Sequence, residues 1–325
     1  MLLVRIIHNC TATKLKKAAT ALVNGKLVVF PTETVYGLGA DATNIDAVNR
    51  IFHTKGRPAE HPVIIHFSTI DKLDVWAKNI PDYAIKLASS FWPGPMTLIL
   101  PRTNLAKDFI TGGQQSVGVR VPNNVIALAL LTEFEAQGGI GIAAPSANRF
   151  GKVSPTTLIH VVSELSNYLG EDDLILDGGQ SDIGVESTII NCTQSTPAIL
   201  RPGAITDFMI QKVLDRPLEA RNDSYSNSLR VPGLLESHYS PKARVILSGN
   251  PLPGDGFIAL DSFKTPPGVV RLASPKNANE YAKMLYQALH LADQKELEKV
   301  FAIPPEGEDI SVAIRDRLTK AAFKD

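Results

Sequence analysis

Cysteine is scarce in this chain: Cys10 and Cys192 are the two thiols in 325 residues. Two thiols make no disulfide framework and lack the paired spacings that hold zinc, so they read as small apolar side chains in a reducing, cytosolic compartment. Net charge is missing too, with 33 basic residues against 33 acidic ones. A chain whose main task is to coat nucleic acid would carry an excess of Lys and Arg to neutralise phosphates. No stretch approaches the roughly 18 consecutive apolar residues of a membrane span. The apolar start is broken by Arg5 and His8 and lacks the basic region and small-residue cleavage site of a secretory signal. There is no G-x-S-x-G elbow, no triad setting for the histidines, no metal-ligand cluster, and no Gly-rich dinucleotide fingerprint in the second half.

What is present is the composition of an ordinary globular enzyme, 44% hydrophobic and 20% charged, and a length that suits two domains. Leu15, Ala18, Ala19 and Leu22 recur at helical spacing, with Thr11 or Thr13 to cap and Gly25 to stop. The apolar run Leu27-Val28-Val29-Phe30 then predicts a strand, and Asn44 opens a helix running through Phe52 that Gly56 and Pro58 terminate. Further strands are expected at 62–67, 96–100, 117–121, 141–144, 174–177, 187–191 and 198–200, with helices at 70–77 and 81–91. This alternation predicts an α/β domain on a substantial twisted, mixed sheet. Near Asp215 the pattern dissolves, and 221–228 is polar and rich in turn formers, as a linker would be. Strands at 244–247, 256–260, 269–272 and 301–303, with a helix through Tyr281, Leu285, Leu289 and Ala292 and another over 310–322, predict a smaller second α/β domain. The divisions expected are 1–214, 215–243 and 244–325.

Several short blocks pair strand-like residues with a cation or a few small hydroxyl and amide groups. Pro31-Thr32-Glu33-Thr34-Val35-Tyr36-Gly37-Leu38 sets three hydroxyls and a carboxylate directly behind a strand, and reads as a chemical surface rather than core. Lys55-Gly56-Arg57-Pro58, Gly118-Val119-Arg120-Val121-Pro122 and Ala144-Pro145-Ser146-Ala147-Asn148 follow. Together they suggest a site for a small polyanion. Each block has a plainer explanation: cations at a helix C-terminus are favoured by the dipole alone, Arg120 in an apolar strand could form a structural ion pair, His66 could be a core histidine, and Ser146 and Asn148 could make a turn.

These blocks, together with His66, Glu186-Ser187-Thr188-Ile189 and Leu200-Arg201-Pro202-Gly203, resemble the ordered motifs of the Sua5/YrdC/YwlC family. The tail, closing with Ala313-Ile314-Arg315-Asp316-Arg317-Leu318, resembles the extra C-terminal domain of the long Sua5 type. The resemblance implies a YrdC-like twisted mixed sheet with helices, plus a smaller Rossmann-like C-terminal domain. It implies synthesis of threonylcarbamoyl-AMP from L-threonine, bicarbonate and ATP, with pyrophosphate released and the product feeding t6A modification of tRNA. By the same resemblance Lys55 and Arg57 are the catalytic cations. Thr34, His66, Arg120, Ala144 and Ser187 would hold L-threonine. ATP would meet Lys55, Arg57, His61, Ser116, Ser146, Asn148, Ser154, Arg201 and Tyr239. His61 stands where the family usually carries Asn, and Ser116 where Thr is more usual. Mg2+ would arrive with ATP and keep several waters, leaving Glu33 and Glu186 to outer roles or to orienting their own backbone. The linker's Val231-Pro232-Gly233-Leu234-Leu235-Glu236-Ser237 replaces a Ser-Pro-Gly-Met-Lys-like run before His238-Tyr239-Ser240-Pro241, and would act as a lid. Expected partners are the downstream t6A transferase proteins, with weak tRNA binding possible in principle and a monomer as the default state. Two other functions fit parts of the pattern: an RNA-binding module, and an enzyme making a different carbamoyl adenylate. The latter usually accompanies zinc-finger and acylphosphatase modules, for which this chain has no sequence.

Overall fold

The computed structural model describes residues 5–218, 229–233 and 239–323. The linker stretch 221–228 and the segment 234–238, with Glu236 and His238, lie outside the described residues. Among those described, two sheets form. The first body contains β1 (Arg5–Ile7), α1 (Ala12–Val23), β2 (Val28–Phe30), β3 (Gly37–Asp41), α2 (Ile45–Lys55), β4 (Ile64–His66), α3 (Leu73–Trp76) and α4 (Asp82–Phe91). It continues with β5 (Met96–Pro101), α5 (Asp108–Thr111), β6 (Ser116–Arg120), α6 (Val125–Ala136), β7 (Ile142–Ala143), α7 (Leu158–Leu165), β8 (Leu174–Leu176), β9 (Thr188–Asn191), β10 (Ala198–Arg201) and α8 (Asp207–Leu214).

Its ten strands lie in the order β1-β8-β2-β3-β7-β4-β6-β5-β9-β10. The sheet is mixed: β8 is parallel to both β1 and β2, β4 to β6, and β5 to β9, while the remaining neighbours are antiparallel. Side chains alternate across it. Val28 and Phe30 join Leu15, Ala18 and Leu22 of α1 and Leu130 and Phe134 of α6 in one core, whereas Leu27 and Val29 face the larger core on the opposite side. A strand covered on both faces has no polar face to show, which is why these runs are continuously apolar in sequence.

Two elements depart from the sequence reading. The 31–38 block walls a cleft, as a chemical surface would, but from within the fold: Thr32, Glu33 and Thr34 are at most 4% exposed, and Gly37 and Leu38 belong to β3, which pairs antiparallel with β2. Burial of those polar groups is tolerated because Thr32 Oγ1 donates to the Val35 carbonyl at 2.6 Å and accepts from the amides of Thr34 and Val35 at 3.2 Å. Helix α6 carries no sequence periodicity because it is apolar nearly all round; Asn124 marks its start, with Oδ1 accepting from the amides of Ile126 at 3.0 Å and Ala127 at 3.1 Å.

The second sheet is parallel throughout, ordered β11 (Arg244–Ile246), β14 (Lys299–Ala302), β12 (Gly256–Ile258), β13 (Val270–Ala273). Its helices are α9 (Ala278–Gln294) and α10 (Ser311–Ala322). The core they build does not stop at the second body, since it takes in Val35, Val153 and Val185 of the first. No helix among the described residues is long and apolar enough to cross a membrane.

The seam between the bodies contains a histidine pair. His160 of α7 and His290 of α9 stack with ring centroids 4.0 Å apart and planes 19° from parallel. The Thr156 amide donates to His160 Nδ1 at 3.4 Å, and His290 Nε2 donates to the Ser154 carbonyl at 3.3 Å. Burial, and for His160 the neighbouring His290, lowers the two to about 3 and about 4; Asp293 partly offsets this at His290. Both rings are therefore neutral when docked, while an undocked or unfolded chain protonates them near 6.5. Their contribution is present in full above that value and is lost as pH falls toward 4, by roughly 2 kcal/mol per ring at pH 5. We expect the melting midpoint to drop between pH 7.5 and pH 5 and His290→Phe to reduce that drop by about half; an unaltered pH slope in thermal scans would contradict this assignment.

Candidate active site

Most of the residues singled out in sequence converge on one cleft. Helix α2 ends at Gly56, whose left-handed backbone (φ 60°) turns the chain so that Arg57 points to the cleft. Strands β4 and β6 are parallel, with His66 opposite Arg120 in register, so both side chains emerge where these strands end. Carboxyl ends of parallel strands are where α/β sheets bind ligands. The loop after β7 brings Ala144 and Ser146, and the loop into β9 brings Glu186 and Ser187. Arg201 closes β10, and Pro232, Gly233 and Tyr239 complete the wall.

The cleft is lined by three buried guanidiniums. Arg120 Nη2 lies 2.6 Å from Glu33 Oε1, Nη1 donates to Thr34 Oγ1 at 3.1 Å, and Nε to the Gly94 carbonyl at 3.2 Å. The plainer alternative for Arg120, a buried ion pair, is thus present, and the same group also faces the cleft. Arg201 is held by carbonyls: its Nε and Nη2 donate to Ser187 O at 3.1 and 2.9 Å, and Nη1 to Pro232 O at 3.0 Å. Arg57 donates from Nη2 to Pro62 O at 2.8 Å, and burial brings it down to about 10. Among the described residues neither Arg57 nor Arg201 forms an ion pair with a carboxylate, so both turn positive charge toward whatever enters. His66 is brought to about 3 by burial and by Arg120, and so is neutral at pH 7.

Of the residues expected at the site, Thr34, Arg57, His66, Arg120 and Ala144 line the cleft, as do Ser146, Ser187, Arg201 and Tyr239. Five do not. Lys55 is 1% exposed, and its ammonium donates to the carbonyl of Ser146 at 2.6 Å and to that of Asn148; a buried cation without a carboxylate takes carbonyls instead, and here it fixes the Ser146–Asn148 loop. Burial, then Arg57, lowers its pKa well below that of an ordinary lysine. Asn148 braces the same loop, donating to the carbonyls of Arg149 and Lys152 at 2.8 Å. Ser154 turns its hydroxyl to Glu186 Oε1 at 2.6 Å. Ser116 lines an adjoining hollow that shares Ile64 and Pro232 with the main cleft. His61 packs edge-on against Phe150, ring centroids 5.3 Å apart.

Sequence reasoning gave Glu186 only an outer role and missed its partners, Tyr286 and Arg317. The signal was available: along α10 Ile310, Ala313, Ile314, Leu318 and Ala321 form the buried stripe, and Arg317 falls on it at helical spacing. Among the described residues no group of three or more His, Cys, Asp or Glu side chains could hold a metal ion. Glu186, which lines the cleft, is paired with Arg317, and Glu33 behind it is paired with Arg120.

Fold and cleft together define a two-body α/β protein with a cleft lined by three buried guanidiniums. The family described as Telomere recombination (Sua5, yciO and yrdC) matches residues 20–203, and that described as Threonylcarbamoyl-AMP synthase, C-terminal domain, matches residues 205–323. A threonylcarbamoyl-AMP synthase of Pyrococcus abyssi is 40% identical over 329 residues, covering 95% of this chain and 94% of that protein. One of Bacillus subtilis is 36% identical, covering 95% and 93%. The crystal structure of P. abyssi Sua5 complexed with L-threonine superposes with a TM-score of 0.88 at 37% identity, covering 98% of this chain and 97% of that one. The chain belongs to the Sua5/YrdC family, in the form that carries the additional C-terminal domain.

Gly233 offers a direct test of the wall. It has φ 84°, and a Cβ there would lie 2.2 Å from the Tyr239 hydroxyl and 3.2 Å from the Arg201 side chain. Gly233→Ala therefore combines backbone strain with a clash at two cleft residues. We expect a loss of nucleotide affinity of about tenfold or more, equivalent to ~1.4 kcal/mol, read by calorimetric titration with a non-hydrolysable ATP analogue; unchanged affinity would remove this bend from the site.

Proposed function

We propose that this chain is a threonylcarbamoyl-AMP synthase, condensing L-threonine, bicarbonate and ATP to threonylcarbamoyl-AMP and pyrophosphate for t6A modification of tRNA. The observation that carries the reading is the pair of buried guanidiniums, Arg57 and Arg201, that form no ion pair with a carboxylate among the described residues and face a cleft also lined by Arg120, Thr34 and Ser187. Near-full-length similarity to the synthases of P. abyssi and B. subtilis supports it.

The threonine amine forms a bond to the carbon of bicarbonate with loss of water, giving an N-carboxylate. One oxygen of that carboxylate attacks the α-phosphorus of ATP, and the bond to the bridging oxygen breaks with its electrons leaving on pyrophosphate. Little covalent work falls to the protein, so placement and fixed positive charge do most of it. Arg120 offers a fork to the threonine carboxylate, a bidentate task, with Thr34, Ser187 and neutral His66 around the rest of the amino acid and the Ala144 segment beneath it. Arg57 and Arg201 face the phosphates, and Tyr239 with Ser146 borders the nucleotide. Lys55 and Asn148 act through the Ser146 loop they fix, and Ser154 through Glu186. Ser116 and His61 border the outer end of the nucleotide, in the adjoining hollow and beside Phe150. Magnesium enters with the triphosphate and keeps its own waters; among the described residues Glu33 and Glu186 are engaged by Arg120 and Arg317. Residues 1–214 form the catalytic domain, 215–243 the linker and 244–325 the second domain of a cytoplasmic monomer, whose labile product passes to a t6A transferase.

The deciding experiment measures pyrophosphate release from ATP and bicarbonate with and without L-threonine, with mass detection of the adenylate. Threonine-dependent release with the expected adduct supports the synthase. Release without threonine points to another acceptor, and no release together with salt-sensitive RNA binding would replace this reading by an RNA-binding one. Arg120→Lys keeps the charge but loses the fork. It is expected to raise the threonine KM about tenfold and the ATP KM much less; equal rises would contradict the assignment.

A further inference from the structure

Glu186 lines the cleft, yet most of its partners come from the second body. Its Oε2 accepts from Arg317 Nε at 2.7 Å and from the Tyr286 hydroxyl at 2.9 Å; its Oε1 accepts from Tyr286 at 3.1 Å and from Ser154 Oγ at 2.6 Å. Arg317 is fully buried and also donates from Nη2 to the Pro202 carbonyl at 3.1 Å, with its guanidinium 5.1 Å from the centre of the Tyr239 ring. One turn further along α10, Lys320 donates to the Gly233 carbonyl at 2.7 Å. Two of the groups Arg317 holds are each one residue from a cleft group: Glu186 precedes Ser187, and Pro202 follows Arg201. Arg201 in turn bonds Ser187, so the three form one rigid corner.

Charge gives this corner a further consequence. Glu186 acts electrostatically on Arg201, and while it is engaged by Arg317 it forms no ion pair with Arg201. Burial alone would raise the Glu186 carboxyl, but Arg317 and then Arg201 outweigh it and hold the group at about 2, so it is ionised whenever the protein is folded. Removing Arg317 would leave a buried carboxylate without its paired cation, and the other cation that acts on it is Arg201.

We infer that Arg317 of the second domain is a positioning residue for the phosphate side of the site: it fixes Glu186 and Pro202 and, by engaging the Glu186 carboxylate, keeps Arg201 available for the polyphosphate. This rests on the synthase reading for the identity of the polyanion. It makes the second domain part of the nucleotide site instead of an appendage to it.

The test uses the full chain and two readouts, steady-state kinetics and calorimetric titration with a non-hydrolysable ATP analogue. Arg317→Met is expected to raise the ATP KM and the analogue Kd at least tenfold and the threonine KM, through Ser187, by clearly less, about threefold. Adding Glu186→Gln to Arg317→Met removes the competing charge, and is expected to restore both nucleotide constants to within about threefold of the parent. A purely structural role predicts the reverse, since a second buried change would add to the damage. Should Arg317→Met not fold, Tyr286→Phe removes one donor to Glu186 at constant shape and is expected to raise the ATP KM two- to fourfold with kcat unchanged. Parallel rises in both substrate constants, no rescue by Glu186→Gln, or an unaltered ATP KM in Tyr286→Phe where that variant is needed would overturn the inference. A parent protein that binds the analogue with the expected variant pattern but forms no adenylate overturns the synthase reading alone; one that binds no nucleotide overturns both.

Discussion

A guanidinium withdrawn from water must be given anions or carbonyls, and the centre of this protein is organised around four of them. Arg57, Arg120, Arg201 and Arg317 are each at most 8% exposed. The chain supplies carboxylates to two, Glu33 for Arg120 and Glu186 for Arg317, and carbonyls to the other two. A carboxylate partner fixes a guanidinium in place, and Arg120 still faces the cleft beside Glu33; Arg57 and Arg201, held by carbonyls, face it without an ion pair among the described residues.

Fixing those groups sets demands on the backbone around them. The 31–38 block can pass through the interior because Thr32 closes its own turn. Gly56 and Gly233 adopt left-handed conformations at the two places where the chain must turn a neighbour into the cleft. Lys55 shows the same economy at one remove: its buried ammonium takes the carbonyls of Ser146 and Asn148, and so holds a loop that lines the cleft. A corner of the wall rests on the second body through Glu186, Pro202 and Gly233, so the apolar seam and the histidine stack bear on the site as well as on stability.

Much of the site is legible in sequence because its chemistry departs locally from its surroundings. Arg120 in an apolar strand, Lys55-Gly56-Arg57 at a helix end and the hydroxyls behind Phe30 are each conspicuous against a background of Val, Ile and Ala. Strands β2, β4, β5 and β6 are equally plain as buried apolar runs. Helix α6 is not, because an element apolar on all sides has no period to detect. Strand β3 is hidden for the opposite reason, its glycines being chosen for close approach: a Cβ on Gly39 would lie 2.8 Å from both Phe30 and Ile142.

The sequence by itself determined the two-body α/β plan and made Arg57, Arg120 and the Thr32–Thr34 hydroxyls conspicuous, since periodicity and misplaced charge are properties of neighbours along the chain; His66, Ser187, Arg201 and Tyr239 were reached through the family resemblance. Only the tertiary structure decided which cation meets which anion. Lys55 belongs under a loop because Ser146 and Asn148 lie within its reach; Ser154 belongs to Glu186; and Glu186 belongs to Arg317, 131 residues away. Such pairings depend on distance in space, and Coulombic and hydrogen-bonding energies fall off too steeply with separation for linear spacing to encode them.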